Sequence, residues 1–211
     1  MKSLTDIFLG FLYWLNKLTQ NTGFSIIIFT ILVKLILLPL DWYAFNQEKK
    51  LNKISKKMKE IMQQFKKEPE KQLLMIAELY KEVNYNPFVY FLAQIIQIPI
   101  FLAFFFMLNN LVKEIKEINF LGIDLVKPSL YLALITILLQ FLLIQKSSQT
   151  QKKIAYIFLG LIALIVLSFP AIFTLYWATN LVLTILERQV FLIYEKKFIA
   201  NSIQKEKTDI S

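Results

Sequence analysis

Residues 154–186 form an unbroken run of 33 residues without a charged side chain. As one α-helix this run would be about 50 Å long, whereas the hydrocarbon core of a bilayer is about 30 Å thick. Phe169-Pro170 lies near its middle, and proline interrupts helices because it lacks a backbone N–H. The run therefore predicts two short membrane spans separated by a break, which makes the chain an integral membrane protein.

Three earlier apolar segments, 22–42, 87–111 and 128–145, have the length of further membrane helices. Only 4 Gly and 6 Pro among 211 residues leave little scope for loop-rich β architecture. The predicted fold class is all-α: a polytopic membrane protein with five transmembrane helices, a cytoplasmic helical hairpin and an N-terminal interfacial helix.

The N-terminal segment carries apolar side chains at helical spacing, which predicts an amphipathic helix lying in the membrane interface. A signal peptide is the alternative, because Lys2 precedes an apolar stretch. Asp6 interrupts that stretch and no small-residue cleavage site follows, which favours the interfacial helix.

Segment 43–86 has a different character, with ten lysines and six glutamates. Two apolar stripes run through it, which predicts two amphipathic helices hinged near Glu68-Pro69 and packed stripe to stripe. The first stripe comprises Leu51, Ile54, Met58, Ile61, Met62 and Phe65, and the second comprises Leu73, Ile76, Ala77, Tyr80 and Val83.

Charge distribution orients the chain, because lysine and arginine accumulate in cytoplasmic loops. With five spans, the hairpin, the loop 146–153 and the tail share one side and hold most of the 24 basic residues. The prediction is a multi-pass protein of the plasma (inner) membrane with the N-terminus outside and the C-terminus in the cytoplasm. The predicted segments are 1–21 (external interfacial helix), 22–42 (first span), 43–86 (cytoplasmic hairpin), 87–111 (second span), 112–127 (external connector), 128–145 (third span), 146–153 (cytoplasmic loop), 154–169 (fourth span), 170–190 (fifth span) and 191–211 (cytoplasmic tail).

The composition excludes several kinds of chemistry. The chain has no Cys and no His, so disulfides, thiol catalysis and imidazole acid–base chemistry are absent. No phosphate-binding glycine loop, serine elbow or metal-ligand cluster occurs in the sequence. We therefore expect neither an enzyme nor a cofactor or metal. The net charge is +9, and the basic residues responsible for it flank the apolar runs. This distribution favours a role in membrane topology over binding of a specific nucleic-acid sequence.

Lys34 is the most informative single residue, because a charge inside a span costs about 2.5–3.5 kcal/mol on insertion scales and usually faces protein or water. Snorkelling towards the cytoplasmic interface is the alternative. Polar and aromatic residues of other spans would line one cavity with Lys34, or else form hydrogen bonds between helices: Gln94, Gln97, Thr136, Gln140, Tyr176, Trp177, Thr179 and Asn180. Asp41 is predicted to lie at the membrane interface, and the sequence shows no evident second acid that could act with it.

The order of the elements and several motifs resemble the YidC family of membrane insertases over roughly Leu12 to Val190. Each motif alone is weak, but together and in order they are specific. The motifs are Asn21-Thr22-Gly23-Phe24-Ser25-Ile26-Ile27, Val33-Lys34-Leu35, Leu38-Pro39-Leu40, Glu78-Leu79-Tyr80-Lys81-Glu82, Asn86-Pro87, Gln97-Ile98-Pro99-Ile100-Phe101, Phe120-Leu121-Gly122-Ile123-Asp124-Leu125, Phe169-Pro170 and Leu175-Tyr176-Trp177.

The resemblance implies a short, core-only insertase and chaperone with a hydrophilic groove open to the cytoplasm and the lipid. A cation in the groove, usually arginine in the family and Lys34 here, would attract acidic parts of a substrate. The hairpin would recruit substrates, with Lys56, Lys57, Lys59, Lys66 and Lys67 as its basic residues. The implied partners are nascent membrane proteins and the lipid bilayer, with a translocation channel and a ribosome as further candidates.

Two other functions remain open from the residues alone. A small solute transporter or channel would use Lys34 and the glutamines to bind an anionic solute, although the chain has no obvious internal repeat. A membrane scaffold would use the basic hairpin to bind a partner or anionic lipid headgroups.

Overall fold

The computed structural model describes residues 2–114, 118–145 and 149–209. These residues form seven helices and one two-stranded ladder. The bounds are α1 Lys2–Thr19, α2 Thr22–Gln64, α3 Pro69–Glu82, α4 Pro87–Glu114, β1 Asn119–Phe120, β2 Ile123–Asp124, α5 Leu130–Gln145, α6 Gln149–Ser168 and α7 Ala171–Asp209. The prediction of an all-α fold is confirmed.

Helix α2 is a single helix of 43 residues that continues from the apolar segment into the first arm of the basic hairpin. Asn21 caps its start, because the Asn21 side chain accepts a hydrogen bond from the Phe24 N–H at 3.2 Å. By length and hydropathy α2 can cross a membrane, and shorter apolar helical stretches run over Ile98–Lys113, Leu130–Gln145 and Ala155–Ser168.

The buried core lies where α1, α2, α4 and α7 meet. Leu12 of α1, Phe29 of α2, Phe104 of α4 and Ile172 of α7 are each at most 1% exposed. The Phe29 ring contacts both the Phe8 ring and the Phe104 ring at centroid distances of 5.1 Å. The amphipathic helix α1 is therefore packed into the bundle on its Leu12 face, while Ile7, on another part of the same helix, is 65% exposed.

The connector between α4 and α5 forms the β-ladder and holds the start of α7. The Ala171 N–H donates to the Lys127 carbonyl at 2.8 Å, and the Ile172 N–H donates to the Leu125 carbonyl at 2.9 Å. These are first-turn amides, which no carbonyl within the helix can accept from. Helix α7 thus begins at a defined place after Pro170, and its position along the bundle is fixed by the connector.

Helix α3 packs back along α2, and its contact face overlaps the predicted stripe only in part, since Ile76, Tyr80 and Val83 are partly buried. Leu79 is buried, whereas Leu73 is 68% exposed and Ala77 is also exposed. The prediction that Leu73 and Ala77 pack against α2 is therefore wrong. Gln72 faces α2 instead: its side-chain amide donates to the Met62 carbonyl at 3.0 Å and so satisfies one of the last carbonyls of α2.

The outer surface of the bundle is rich in large apolar side chains. Helix α5 exposes Leu134 and Leu138 by 57% and 58%, and helix α6 exposes Ile157 and Leu164 by 68% and 66%. Monomeric soluble proteins rarely expose contiguous apolar surface of this kind. The exposed apolar faces are those expected of helices that contact lipid.

Candidate functional site: an ion-lined cavity between α2 and α7

A cavity of about 300 Å³ lies between α2 and α7, next to Gln140 of α5. It adjoins the part of α2 where the apolar segment passes into the hairpin arm. Its lining residues are Lys34, Asp41, Ala44, Phe45, Glu48, Gln140, Asn180, Thr184, Glu187, Arg188 and Phe191. Charged side chains thus line an internal space within a bundle whose outer faces are apolar.

Lys34 is at the centre of this site. Its Nζ lies 2.7 Å from Asp41 Oδ2 and 2.7 Å from Glu187 Oε2. The Lys34 side chain is 9% exposed, and the two carboxylates are 13% and 12% exposed. The ammonium is therefore held inside the bundle between two acids, one from its own helix and one from α7, which offsets the cost of desolvating it.

Asp41 reaches Lys34 because the two residues are seven apart, which is close to two helical turns and places both on one face of α2. The expectation that Asp41 has no second acid near it was wrong, since Glu187 shares the same ammonium. Sequence reasoning did not count Glu187 among the groove residues, although it lies near the end of the predicted fifth span, 170–190. The signal was its position as the first charge after the uncharged run.

A second ion pair lies beside the first. Arg188 donates to both carboxylate oxygens of Glu48, with Nη2 to Oε2 at 2.7 Å and Nη1 to Oε1 at 3.4 Å. The forked geometry matches guanidinium to carboxylate, which is the stronger form of such a pair. Further along the same two helices Lys49 pairs with Glu195. Ion pairs therefore join α2 to α7 at successive levels.

Aromatic rings flank the cavity. The Phe191 ring of α7 contacts the Trp42 ring at 4.9 Å and the Phe45 ring at 5.4 Å. Phe45 and Phe191 are each less than a tenth exposed. The ion pairs are thus flanked by apolar surface, which strengthens electrostatic interactions by excluding water.

The sequence-predicted groove residues separate into several groups. Lys34, Gln140 and Asn180 line the ion-lined cavity. Tyr176 and Trp177 instead line an apolar crevice with Phe101, Phe105, Phe169 and Phe173, and the Tyr176 ring stacks on Phe104 at 4.0 Å.

The remaining predicted groove residues lie elsewhere. Thr136 is fully buried and donates to the Leu132 carbonyl at 2.8 Å, and Thr179 donates to the Leu175 carbonyl at 2.8 Å. Both are bonds to the preceding turn of the same helix, which satisfy the hydroxyl without a partner helix. The side chains of Gln94 and Gln97 lie outside the described part of the chain.

The hairpin presents its cations to solvent. Lys56, Lys59, Lys66 and Lys67 are exposed, and Lys57, 65% exposed, lies 3.7 Å from Glu82 of α3. The two arms meet at Tyr80, whose hydroxyl donates to the Met58 sulfur at 3.6 Å. Partial burial between the arms raises the pKa of Tyr80 above its ordinary value.

Comparison with known proteins shows extended similarity. Residues 14–198 match the family model described as 60Kd inner membrane protein. A membrane protein insertase YidC from Aquifex aeolicus is 32% identical over 183 residues, covering 84% of this chain and 36% of that protein. One from Clostridium tetani is 30% identical over 162 residues, covering 72% of this chain and 73% of that protein.

A solved structure is also similar. The crystal structure of an active YidC insertase with its first transmembrane domain resolved superposes with a TM-score of 0.67 and 26% identity, covering 85% of this chain and 44% of that one. The chain spans about a third of the length of the first relatives that it matches, those of Aquifex aeolicus and Helicobacter pylori.

Proposed function

The chain belongs to the 60Kd inner membrane protein family of YidC insertases, and from this premise we propose that it inserts hydrophobic segments of nascent membrane proteins into the bilayer. The observation that carries the proposal is the ion-lined cavity inside a bundle with apolar outer faces. Such a cavity provides polar surroundings at membrane depth, next to lipid-facing helices. Insertion needs both environments within reach of one substrate.

The mechanism follows from solvation. An unsatisfied backbone group costs several kcal/mol in the hydrocarbon region, so an unassisted polar segment meets a high barrier. Groups such as Gln140, Asn180 and the ion pairs replace part of the water that the segment leaves. Burial of the substrate's apolar side chains in lipid, at about 25 cal/mol per Å², supplies the driving force without a nucleotide. No covalent step and no cofactor enter this mechanism.

The proposed topology has five spans, the N-terminus outside, and the hairpin and tail in the cytoplasm. The excess of cations in segment 43–86 supports this orientation. For the interfacial helix, the spans and the connector, the proposed boundaries are those derived from the sequence. In this orientation a substrate reaches the exposed hairpin lysines before it reaches the cavity. The lysines would recruit the substrate at the anionic surface of the cytoplasmic leaflet.

Nascent membrane proteins and lipid are the proposed partners, with a translocation channel or a ribosome as further ones. Solute transport and scaffolding are not favoured, because the relatives matched over most of the chain are named insertases.

The test is reconstitution of the full chain in liposomes with a single-span substrate that has an uncharged N-terminal tail. Insertion is scored as protection of the tail from external protease. Wild type is expected to protect more tail than protein-free liposomes, and Asn180→Leu, which makes the cavity lining apolar, is expected to lower that yield. Val182→Leu, an apolar change at a 42% exposed position on the same helix, is the matched control.

Wild-type yield equal to that of protein-free liposomes, for uncharged, acidic and basic tails alike, would refute the insertase function. Equal losses in Asn180→Leu and Val182→Leu would refute the role of the cavity.

A further inference from the structure

The tip of the β-ladder carries an apolar residue in an unfavourable backbone conformation. Phe120 pairs with Ile123, and the two residues that join them, Leu121 and Gly122, have φ angles of 50° and 80°. A two-residue turn with positive φ at both central positions favours asparagine or aspartate followed by glycine. Leucine is disfavoured at the first position, because in the left-handed region its Cβ lies too close to the following carbonyl oxygen.

Leu121 differs from the other non-glycine residues with positive φ in the described part of the chain. These are Gln20 and Asn84, which are polar and follow the ends of α1 and α3. A left-handed residue is common directly after a helix, where it helps to satisfy the last carbonyls. Leu121 follows no helix, and its side chain is 79% exposed, so contacts within the protein offset little of the strain. Backbone strain without an internal reason points to a contact outside the fold.

Two apolar helices begin close to this tip. Phe24 lies in the first turn of α2, is 47% exposed, and packs edge-on against the Phe120 ring at 5.1 Å. Tyr131 lies in the first turn of α5, the helix that follows the connector, and is 68% exposed. Aromatic side chains at the ends of membrane helices are typical of the headgroup level of a bilayer. The tip is therefore close to the level at which these helices enter the lipid.

The ladder cannot move away from this level easily. The Leu125 N–H donates to the Ile118 carbonyl at 2.8 Å, and Leu125 is fully buried. On the other side, the Phe120 ring lies directly against Gly23 of α2. Helix α4 begins beside the hairpin and ends before the ladder, so the tip lies at the end of the bundle opposite the hairpin.

We propose that Leu121 inserts into the boundary between lipid headgroups and acyl chains, on the side of the membrane opposite the hairpin, and anchors the connector there. Insertion removes the exposed leucine side chain from water, which is favourable and offsets the strain of the turn. Through its bonds to Ala171 and Ile172, the anchored connector then holds the start of α7 at a defined depth. This contact with lipid is separate from the proposed insertase function, and its test does not use insertion as a readout.

The first experiment uses the absence of cysteine from the sequence, which allows a nitroxide label at one chosen position of the full chain in liposomes. Leu121→Cys places the label at the tip. Gln20→Cys is the matched control, because Gln20 is an exposed polar residue that also has positive φ and lies next to the start of α2. Oxygen concentrates in lipid, whereas a nickel chelate stays in water. The label at 121 is expected to collide more with oxygen and less with the chelate than the label at 20.

The second experiment avoids the label, which is itself apolar. Leu121→Asn introduces a residue that the turn favours, so a purely local role of the turn predicts slower hydrogen exchange of the amides in 118–126. Loss of a lipid anchor predicts the opposite. In lipid nanodiscs we expect these amides to exchange about fivefold faster in Leu121→Asn than in wild type, equivalent to ~1 kcal/mol. Leu121→Met keeps an apolar side chain and is expected to exchange at the wild-type rate.

A label at 121 that meets the nickel chelate as readily as the label at 20 would overturn the inference. A label at 121 that is shielded from both reagents would place the tip against protein instead of lipid, and would overturn it as well. Unchanged or slower exchange in Leu121→Asn would have the same consequence. Thermal unfolding of each variant in detergent identifies any loss of fold.

Discussion

Lys34 Nζ lies 2.7 Å from Glu187 Oε2, although 153 residues separate the two along the chain. The contact joins the first long helix, α2, to the last, α7. Because Asp41 holds the same ammonium from the other side, the three side chains act as one ion cluster rather than as an isolated pair. The cluster therefore has a structural role that is separable from any contact with a substrate.

We expect Lys34→Ala to lower the stability of the protein by about 3–5 kcal/mol, because it removes the buried ammonium that Asp41 and Glu187 share. In an Asp41→Asn/Glu187→Gln background the same substitution removes no charge partner and is expected to cost much less. Thermal unfolding in detergent micelles, compared across the four proteins of this cycle, measures the difference. Equal losses of stability in both backgrounds would show that the cluster contributes nothing to the fold.

Gly23 lies against the Phe120 ring of the connector so closely that a Cβ at position 23 would overlap the ring. Phe120 is buried and packs edge-on against Phe24 at 5.1 Å, so it has little room to move. We expect Gly23→Ala to destabilise the protein by about 1–3 kcal/mol, as overpacking does. Thermal unfolding in detergent measures it.

Gly10 provides the matched control, because it also lies in a helix but has no atom within 4 Å of an added Cβ. Gly10→Ala is expected to leave stability unchanged or to raise it by up to about 1 kcal/mol through helix propensity. If the two alanine variants unfold alike, the close approach of Phe120 does not constrain position 23.

Leu79 is the buried residue of α3, at 6% exposure, whereas Leu74 on the same helix is 67% exposed. We expect Leu79→Ala to loosen α3 from α2 and to cost about 2–5 kcal/mol in the hairpin, because a buried leucine is lost. Limited proteolysis of the segment between the arms, residues 65–68, is expected to become faster. Leu74→Ala is expected to be cleaved at the wild-type rate, and equal acceleration in both variants would contradict the packing described for α3.

The helical membrane fold could be predicted because its signals are local. The uncharged run 154–186 is too long for one span, and α6 ends at Ser168 while α7 begins at Ala171, on either side of the Phe169-Pro170 pair. The face of α3 that contacts α2 was predicted less accurately. Gln72 is polar and yet points towards α2, where it donates to a carbonyl at the end of that helix. Hydrophobic periodicity alone carries no information about such a bond.

The site was predictable in its central residue but not in the ion pairs that this residue forms. A lysine in the middle of an apolar segment is easily recognised in the sequence, and Lys34 does line the cavity. Its partner Glu187 lies on another helix, so the pairing depends on the register between α2 and α7. The start of α7 is in turn held by the connector's bonds to Ala171 and Ile172, which are contacts distant in sequence. The place of Glu187 in the site therefore follows from contacts between residues that are distant in sequence.

Protonation of Asp124 is expected to make the stability of the connector depend on pH. The Lys127 ammonium bonds to Asp124 Oδ2 at 2.9 Å, and the Val126 N–H donates to Oδ1 at 3.0 Å. Lys127 and then the Val126 amide hold the pKa of Asp124 below its ordinary value of 3.8. A carboxyl whose pKa is lower in the folded state stabilises the fold above the unfolded pKa, and it loses this effect as the pH falls through the folded pKa.

We therefore expect the thermal unfolding temperature in detergent to fall more steeply below about pH 4 in wild type than in Asp124→Asn. Lys127→Met removes the largest cause of the lowered pKa and is expected to move the loss of stability to higher pH, because protonation of Asp124 then begins earlier. The Val126 bond remains in that variant, so part of the effect persists. Identical profiles for wild type and Asp124→Asn between pH 3 and 5, a range that brackets the ordinary Asp pKa of about 4, would show that the connector's carboxylate does not couple protonation to folding.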